Sequence, residues 1–204
     1  MFNRVLLVTL ASMVILSLAG CGGGQPAQQP AEQAAEPAPP PPPPAQPEPV
    51  YELTKDAITS HADWTSRNVS ILGVKLGDRT RDIQKNLGDV ENTRTLPEDY
   101  LTVHQRQGLF VYTFKLTGKA RKFEVYETFA AKIADPKFKK LLTSGDLKYM
   151  REAFGMEEGE PINNAEDMAT EYSYDSKGFR FVQYKVGGKT VNALRFTELK
   201  RSTT

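Results

Sequence analysis

Two stretches of this chain, 70 residues apart, carry the same succession of glycines, lysines and alternating apolar side chains. That self-match narrows the folds open to the chain more than any other feature. Gly108-Leu-Phe-Val-Tyr-Thr-Phe-Lys-Leu-Thr-Gly-Lys119 lies over Gly178-Phe-Arg-Phe-Val-Gln-Tyr-Lys-Val-Gly-Gly-Lys189 with Gly108, Lys115, Gly118 and Lys119 identical to their counterparts. A two-residue period followed by a glycine-bearing turn predicts a strand and a tight hairpin, and each copy runs into a second strand, ending near Tyr126 and near Phe196. Phe110, Tyr112, Phe114 and Leu116 fall on one side, as do Val182, Tyr184 and Val186. We read that side as the buried one, with Arg180 facing the wrong way for a core.

A short helix precedes each of these regions. Gly77-Asp78 opens the first, Ile83 and Leu87 stand four apart, and Gly88 stops it. For the second, Thr143-Ser144-Gly145-Asp146 approximates a capping box, Leu147, Met150 and Phe154 keep helical spacing, and Gly155 ends it. Asp135 before Pro136 predicts one more helix between the units, carrying Phe138, Leu141 and Leu142. Leu53, Thr54 and Ile58 have the spacing of a hydrophobic staple around a Thr N-cap, predicting a further short helix towards Trp64. The expected fold class is α+β: two similar units, at about 69–128 and 138–200, each a helix followed by two or three antiparallel strands. The short helices would pack on one face of the sheet.

All eight tyrosines, Trp64 and nine of ten phenylalanines follow residue 50, whereas eleven of 14 prolines lie between Pro26 and Pro49. The core is therefore built from 51–204, and residues 21–50 read as a proline-rich tether with no apolar material for a core. A polyproline path rises about 3.1 Å per residue, so such a tether reaches up to about 75 Å.

Residues 1–20 have the form of a secretory signal: Arg4, an apolar run from Val5 to Leu18, then small residues. Leu18-Ala19-Gly20-Cys21 resembles the lipobox of bacterial lipoproteins. The resemblance implies cleavage before Cys21, a diacylglyceryl group on its sulfur and acylation of the new amino terminus. Membrane lipid is then one partner, and Cys21, the chain's single cysteine, is an anchor that leaves no disulfide to the domain. Gly22 in place of Asp implies, by the same resemblance, export to the outer membrane where the source has two membranes.

Leu76 to Gly88, read as Leu-Gly-Asp-x-x-x-x-Ile-x-x-x-Leu-Gly ahead of a hairpin, resembles the repeat of the β-lactamase-inhibitory-protein-like fold, shared by the SmpA/OmlA class of outer-membrane assembly lipoproteins. The resemblance implies a tandem of such units and a non-enzymatic protein that binds other proteins. It departs at Asp89 and Met156, which stand where a proline usually follows the helix-ending glycine.

The chain's formal charge is +1, falling to zero once the segment with Arg4 is removed. That balance excludes the strong positive field of a nucleic-acid binder. Two histidines, His61 and His104, and one cysteine are too few for the common zinc patterns, and the carboxylates of 157–160 and 166–167 lack calcium-loop spacing. Ser60, His61 and Asp63 are adjacent in sequence and so diverge in space. No catalytic residue, metal or cofactor is expected. Tyr100, Tyr172, Tyr174 and Arg180 are the candidate protein contacts, since they combine broad rings with polar tips. The expected function is a membrane-anchored envelope lipoprotein serving as a protein-binding or scaffold module with an envelope protein as partner. An inhibitor of a secreted or periplasmic enzyme is the alternative, and an envelope hydrolase a more distant one.

Overall fold

Asp135 and Pro136 start a helix for the reason their order gives. Pro136 needs no N–H partner in the first turn, and the Asp135 carboxylate accepts the Lys137 and Phe138 N–H groups at 2.9 and 3.1 Å. Its other oxygen accepts the Thr59 N–H at 2.7 Å, so one fully buried carboxylate ties this helix, α2 (Pro136–Ser144), to the start of the domain. The structure, a computed structural model, describes residues 47–88 and 90–199. These fall within one unit, Ala45–Thr204. The expected signal segment, Cys21 anchor and most of the tether lie outside the described residues. No described helix is long and apolar enough to cross a membrane.

Helix α1 (Thr80–Leu87) buries Ile83 and Leu87 and stops at Gly88, whose φ of 76° takes the chain where a side chain would be strained. Helix α3 (Lys148–Phe154) ends the same way at Gly155. Its start differs from the capping box expected at 143–146. Thr143 and Ser144 instead close the last turn of α2 by donating to the Lys139 and Lys140 carbonyls at 3.0 and 2.7 Å. The N-cap of α3, Leu147, offers no side-chain bond, and the Asp146 carboxylate just before it accepts the Lys148 N–H at 3.0 Å.

The helix expected after Thr54 does not form. The Glu52 carboxylate accepts both the N–H and the hydroxyl of Thr54, so Thr54 closes a turn, and only Ile58–Ser60 coils, as a 3₁₀ turn. The same carboxylate takes the Ser70 hydroxyl at 2.6 Å and the Leu72 and Gly73 N–H groups at 2.9 and 3.1 Å. Burial would raise the Glu52 carboxyl's pKa, but these donors outweigh it and hold the group ionised. It thereby fastens β1 (Tyr51–Glu52) to β2 (Val69–Ile71) and β3 (Val74–Lys75), a small three-stranded sheet.

The rest is α+β, with one large antiparallel sheet and a few short helices. Its eight strands are β4 (Asn92–Thr95), β5 (Asp99–His104), β6 (Leu109–Phe114), β7 (Lys119–Tyr126), β8 (Ile162–Asn164), β9 (Ala169–Tyr174), β10 (Phe179–Val186) and β11 (Lys189–Thr197). They lie in the order β4-β5-β6-β7-β11-β10-β9-β8. Four strands follow α1 and four follow α3, where two or three were expected. The extra ones, β4 and β8, are short and polar.

One face of this sheet meets the helices. Phe138, Leu141, Leu142, Met150, Ile83 and Leu87 form a single cluster with Leu109, Val111, Phe123, Val125, Phe179, Phe181, Leu194 and Phe196. Trp64 sits among its rings, 5.7 Å from Phe138 and 5.2 Å from Phe154, and such edge and tilted pairs add about 0.5–1.5 kcal/mol each beyond the area they bury. The alternation alone puts Phe110, Tyr112 and Phe114 on the buried side, but they are not the side that meets the helices. Their neighbours Leu109 and Val111 fill that role. The apolar clusters on the opposite face contain strand and loop residues and no described helix.

A charge-framed aromatic face as the candidate functional site

On a pleated sheet every second side chain of a strand shares a face, so strand register decides which residues meet on the side the helices leave uncovered. A row runs there from Val103 through Phe110, Glu124, Arg195 and Arg180 to Ser173, each residue directly opposite the next. The next row sets Tyr126, Ala193, Val182 and Glu171 side by side. Two arginines directly opposed would repel, and the two glutamates resolve the conflict.

Arg195 Nε donates to Glu124 at 2.7 Å, its Nη1 pairs with Glu171, and its Nη2 donates to the Tyr184 hydroxyl at 2.8 Å. Arg180 Nη1 pairs with the second Glu171 oxygen at 2.8 Å and its Nη2 with Asp175 at 3.2 Å. Glu124 also accepts the hydroxyls of Tyr112, Tyr126 and Tyr184 at 3.0, 2.7 and 3.1 Å. Exposure is 0% for Glu124, 4% for Glu171 and 8% for Arg195. Arg180 Nε and Ser173 Oγ, both buried on this face, have no hydrogen-bond partner among the described residues.

The electrostatics follow from that geometry. Burial pushes the Glu124 and Glu171 carboxyls up, but Arg195 and the other donors outweigh it, and both are held below the ordinary carboxylate range. Burial next to Glu124 raises all three phenols, Tyr184 to about 12. Burial lowers the Lys122 ammonium, which lies 3.5 Å over the Tyr112 ring and only loosely, at 3.9 Å, by Glu124. A carboxylate that is ionised and already receives four donors has no lone pair free to take a proton from a substrate. What it can do is hold rings still. Tyr126 stands 4.5 Å from Phe110 and 6.1 Å from Tyr184, and all three remain partly exposed.

The residues singled out from sequence do not converge. Arg180 lies in the network. Tyr174 is not a surface contact: it is 2% exposed and packed on the helix side, where its hydroxyl donates to the Gly155 carbonyl at 2.7 Å. Tyr172 faces the same way, stacked 6.1 Å from Phe181. Tyr100 is exposed on β5, under the Lys115 ammonium. His61 stacks on Tyr51, whose hydroxyl Asp63 accepts, while the Ser60 hydroxyl donates to the Ala57 carbonyl. No set of three or more metal-ligating side chains gathers among the described residues. Sequence reasoning missed Glu124, Lys122 and Arg195. The available signal was a charge at a position where a half-buried strand alternates towards one of its faces.

No known protein family and no curated protein matches this chain in sequence. Among solved structures, the crystal structure of a DUF4309 family protein (YjgB) from Bacillus subtilis is similar to it at 11% identity with a TM-score of 0.40, over 59% of this chain and 79% of its own.

Proposed function

We propose that this protein is a lipid-anchored lipoprotein of the bacterial cell envelope, and that its domain is a non-enzymatic module that binds another protein through the uncovered sheet face. One observation carries the binding part. The face presents Phe110, Tyr126 and Tyr184 together: a saturated carboxylate holds the two tyrosine hydroxyls, and Phe110 packs 4.5 Å from the Tyr126 ring. Aromatic rings whose freedom is spent before binding contribute contact area at low entropic cost. Leu18-Ala19-Gly20-Cys21 at the end of an apolar segment supports the anchor, and Gly22 supports the outer membrane where there are two.

The domain, on this reading, is a tandem of two units like those of the β-lactamase-inhibitory-protein-like fold. The ranges of β5 and β9, and of the 3₁₀ turns after them at 105–107 and 175–177, differ by 70, as do the starts of β6 and β10 and of β7 and β11. A glutamate three residues past each helix-ending glycine then closes the corresponding turn: Glu91 accepts the Arg106 N–H at 3.0 Å and Glu158 the Ser176 N–H at 2.9 Å.

Two measurements test the proposal. Radiolabelled palmitate should enter the full chain and be lost in Cys21→Ala; equal labelling, or none in either, refutes the anchor. A photo-cross-linker placed at Val191, in the register row of Tyr184, should capture one protein in cells, and Phe110→Ala with Tyr126→Ala should abolish that adduct. Capture unchanged by the double substitution refutes the face.

A further inference from the structure

Every carboxylate in the register rows of the uncovered face is committed to an arginine. Glu124 and Glu171 share Arg195, and Asp99, 6% exposed, takes Arg121 Nη2 at 2.7 Å. The three arginines that hold them, Arg195, Arg180 and Arg121, are therefore each engaged by a carboxylate of the protein itself. Lys122 is not. It lies two residues before Glu124 on the same side of β7, beside Tyr112 in register and next to the row that holds Phe110.

Lys122 is about a quarter exposed, and its closest carboxylate oxygen, on Glu124, is 3.9 Å away. That oxygen is already the acceptor of Arg195 Nε at 2.7 Å. The remaining charges around it are Arg195, which opposes it, and Asp99 and Asp167, which help only at longer range. Glu198 joins Asp99, Arg121 and Thr197 in the shallow hollow beside it, without an ion pair to Lys122. What the ammonium does have is a ring: it sits on the face of Tyr112, which leaves its outward N–H bonds for an acceptor outside the chain. The accessible surface beyond it is aromatic, Phe110, then Tyr126, then Tyr184, and at the far end Val186 is exposed next to Lys189.

We infer that the occupant of this face is a polypeptide segment that carries carboxylates beside apolar side chains, one carboxylate seating on Lys122 and the apolar side chains on Phe110, Tyr126 and Tyr184. The inference rests on the proposal that the face binds protein and adds the chemistry of the partner. An incoming carboxylate completes a cation that the fold leaves short of a partner, in a setting where an aromatic wall excludes part of the water. A basic segment would meet Lys122 and Lys189, while the carboxylates in the register rows, Glu124, Glu171 and Asp99, are buried and already taken by arginines.

The full chain is the protein to test, with three fluorescein-labelled twelve-residue peptides that alternate acidic with apolar residues: Glu with Leu and Phe, the same with every Glu replaced by Gln, and the same with Lys. One charge-assisted bond is worth about tenfold in affinity, so the Glu peptide should bind about tenfold more tightly than the Gln peptide. That ratio should fall with added salt and drop to about one in Lys122→Gln, with the Gln peptide unaffected by the substitution. Phe110→Ala should weaken both. Equal binding of the Glu and Gln peptides, binding of the Lys peptide alone, no binding of the Glu peptide, or a preference that survives Lys122→Gln overturns the inference. If Phe110→Ala still weakens the peptides in that event, the binding face stands and only its charge preference is lost. If Phe110→Ala changes nothing, the face falls with it.

Discussion

Replacing Arg195 by Met gives a direct measure of how the uncovered face is held. The substitution keeps much of the side chain's volume but takes away the guanidinium that serves Glu124, Glu171 and the Tyr184 hydroxyl together. Glu171 retains Arg180 at 2.8 Å. Glu124, with no exposed surface, retains only Lys122 at 3.9 Å and its tyrosine hydroxyls. Two unit charges 4 Å apart attract by about 4 kcal/mol at an effective dielectric near 20, an attraction that the folded state uses against a desolvation cost of several kcal/mol per ion. Removing one partner leaves the cost and cancels the attraction, so Arg195→Met should lose about 3–5 kcal/mol of stability at neutral pH. For a domain of this size that is about 10–15 °C in Tm.

Glu124→Gln removes the stranded charge and leaves an amide oxygen for the tyrosines. The double variant should therefore recover about 2 kcal/mol relative to Arg195→Met alone, a coupling of the size that contacting residues show. The pH dependence has a definite sign. Glu124 and Glu171 have lower pKa values folded than unfolded, so their contribution is complete above the unfolded carboxylate range and is lost as pH falls through their folded values. Urea melts of the wild type, both single variants and the double, at pH 7 and pH 4, supply every number required. A cost below about 0.5 kcal/mol for Arg195→Met, or simple addition of the two single effects, would refute the reasoning, because buried charges in one network cannot be independent.

Two further outcomes follow from the backbone and from His104. A Cβ on Gly178 would lie 2.1 Å from Ser66 Oγ and 2.7 Å from the Thr197 carbonyl at a φ of +65°, whereas one on Gly187, at +55°, meets nothing within 4 Å. Gly187→Ala should then cost about 1–2 kcal/mol for its left-handed backbone alone, and Gly178→Ala clearly more; equal urea midpoints for the two would refute the steric account. His104 is 1% exposed, its Nε2 has no partner among the described residues, and burial lowers its pKa against the opposing pull of Glu91. Its neutral form is favoured by folding, so stability is complete above the unfolded histidine value near 6.5 and declines as pH falls below it. The urea midpoint should drop between pH 7 and pH 5 in the wild type and drop less in His104→Gln; parallel curves would count against it.

Much of the local structure was written in neighbouring residues. Ile83 with Leu87, Asp135 with Pro136, and Gly187-Gly188 between two alternating runs each report a bond or a steric limit that acts within a few positions, so the α2 start, the helix stops and the inner hairpins could be read in order, whereas the starts read at Thr54 and at 143–146 were not those the fold uses. The same stretches left the faces undecided. Leu109 through Phe114 is apolar on nearly every side chain, and a period of two cannot say which set meets the helices when both sets are greasy. The edge strands escaped because Asn92–Thr95 and Ile162–Asn164 are too polar and short to alternate; they exist because a neighbour offers unpaired N–H and C=O groups to satisfy.

Sequence by itself determined the α+β class, three of the four helices read from it and the segregation of core material behind residue 50, since these depend on composition and on spacings of three to five positions. Tertiary structure alone decided which side chains meet on the uncovered face. Glu124 and Arg195 stand 71 positions apart, and they meet because β7 and β11 pair in one register. A shift of that register by one residue would send each of these side chains to the opposite side of its sheet, and no local preference in either strand records which alignment wins.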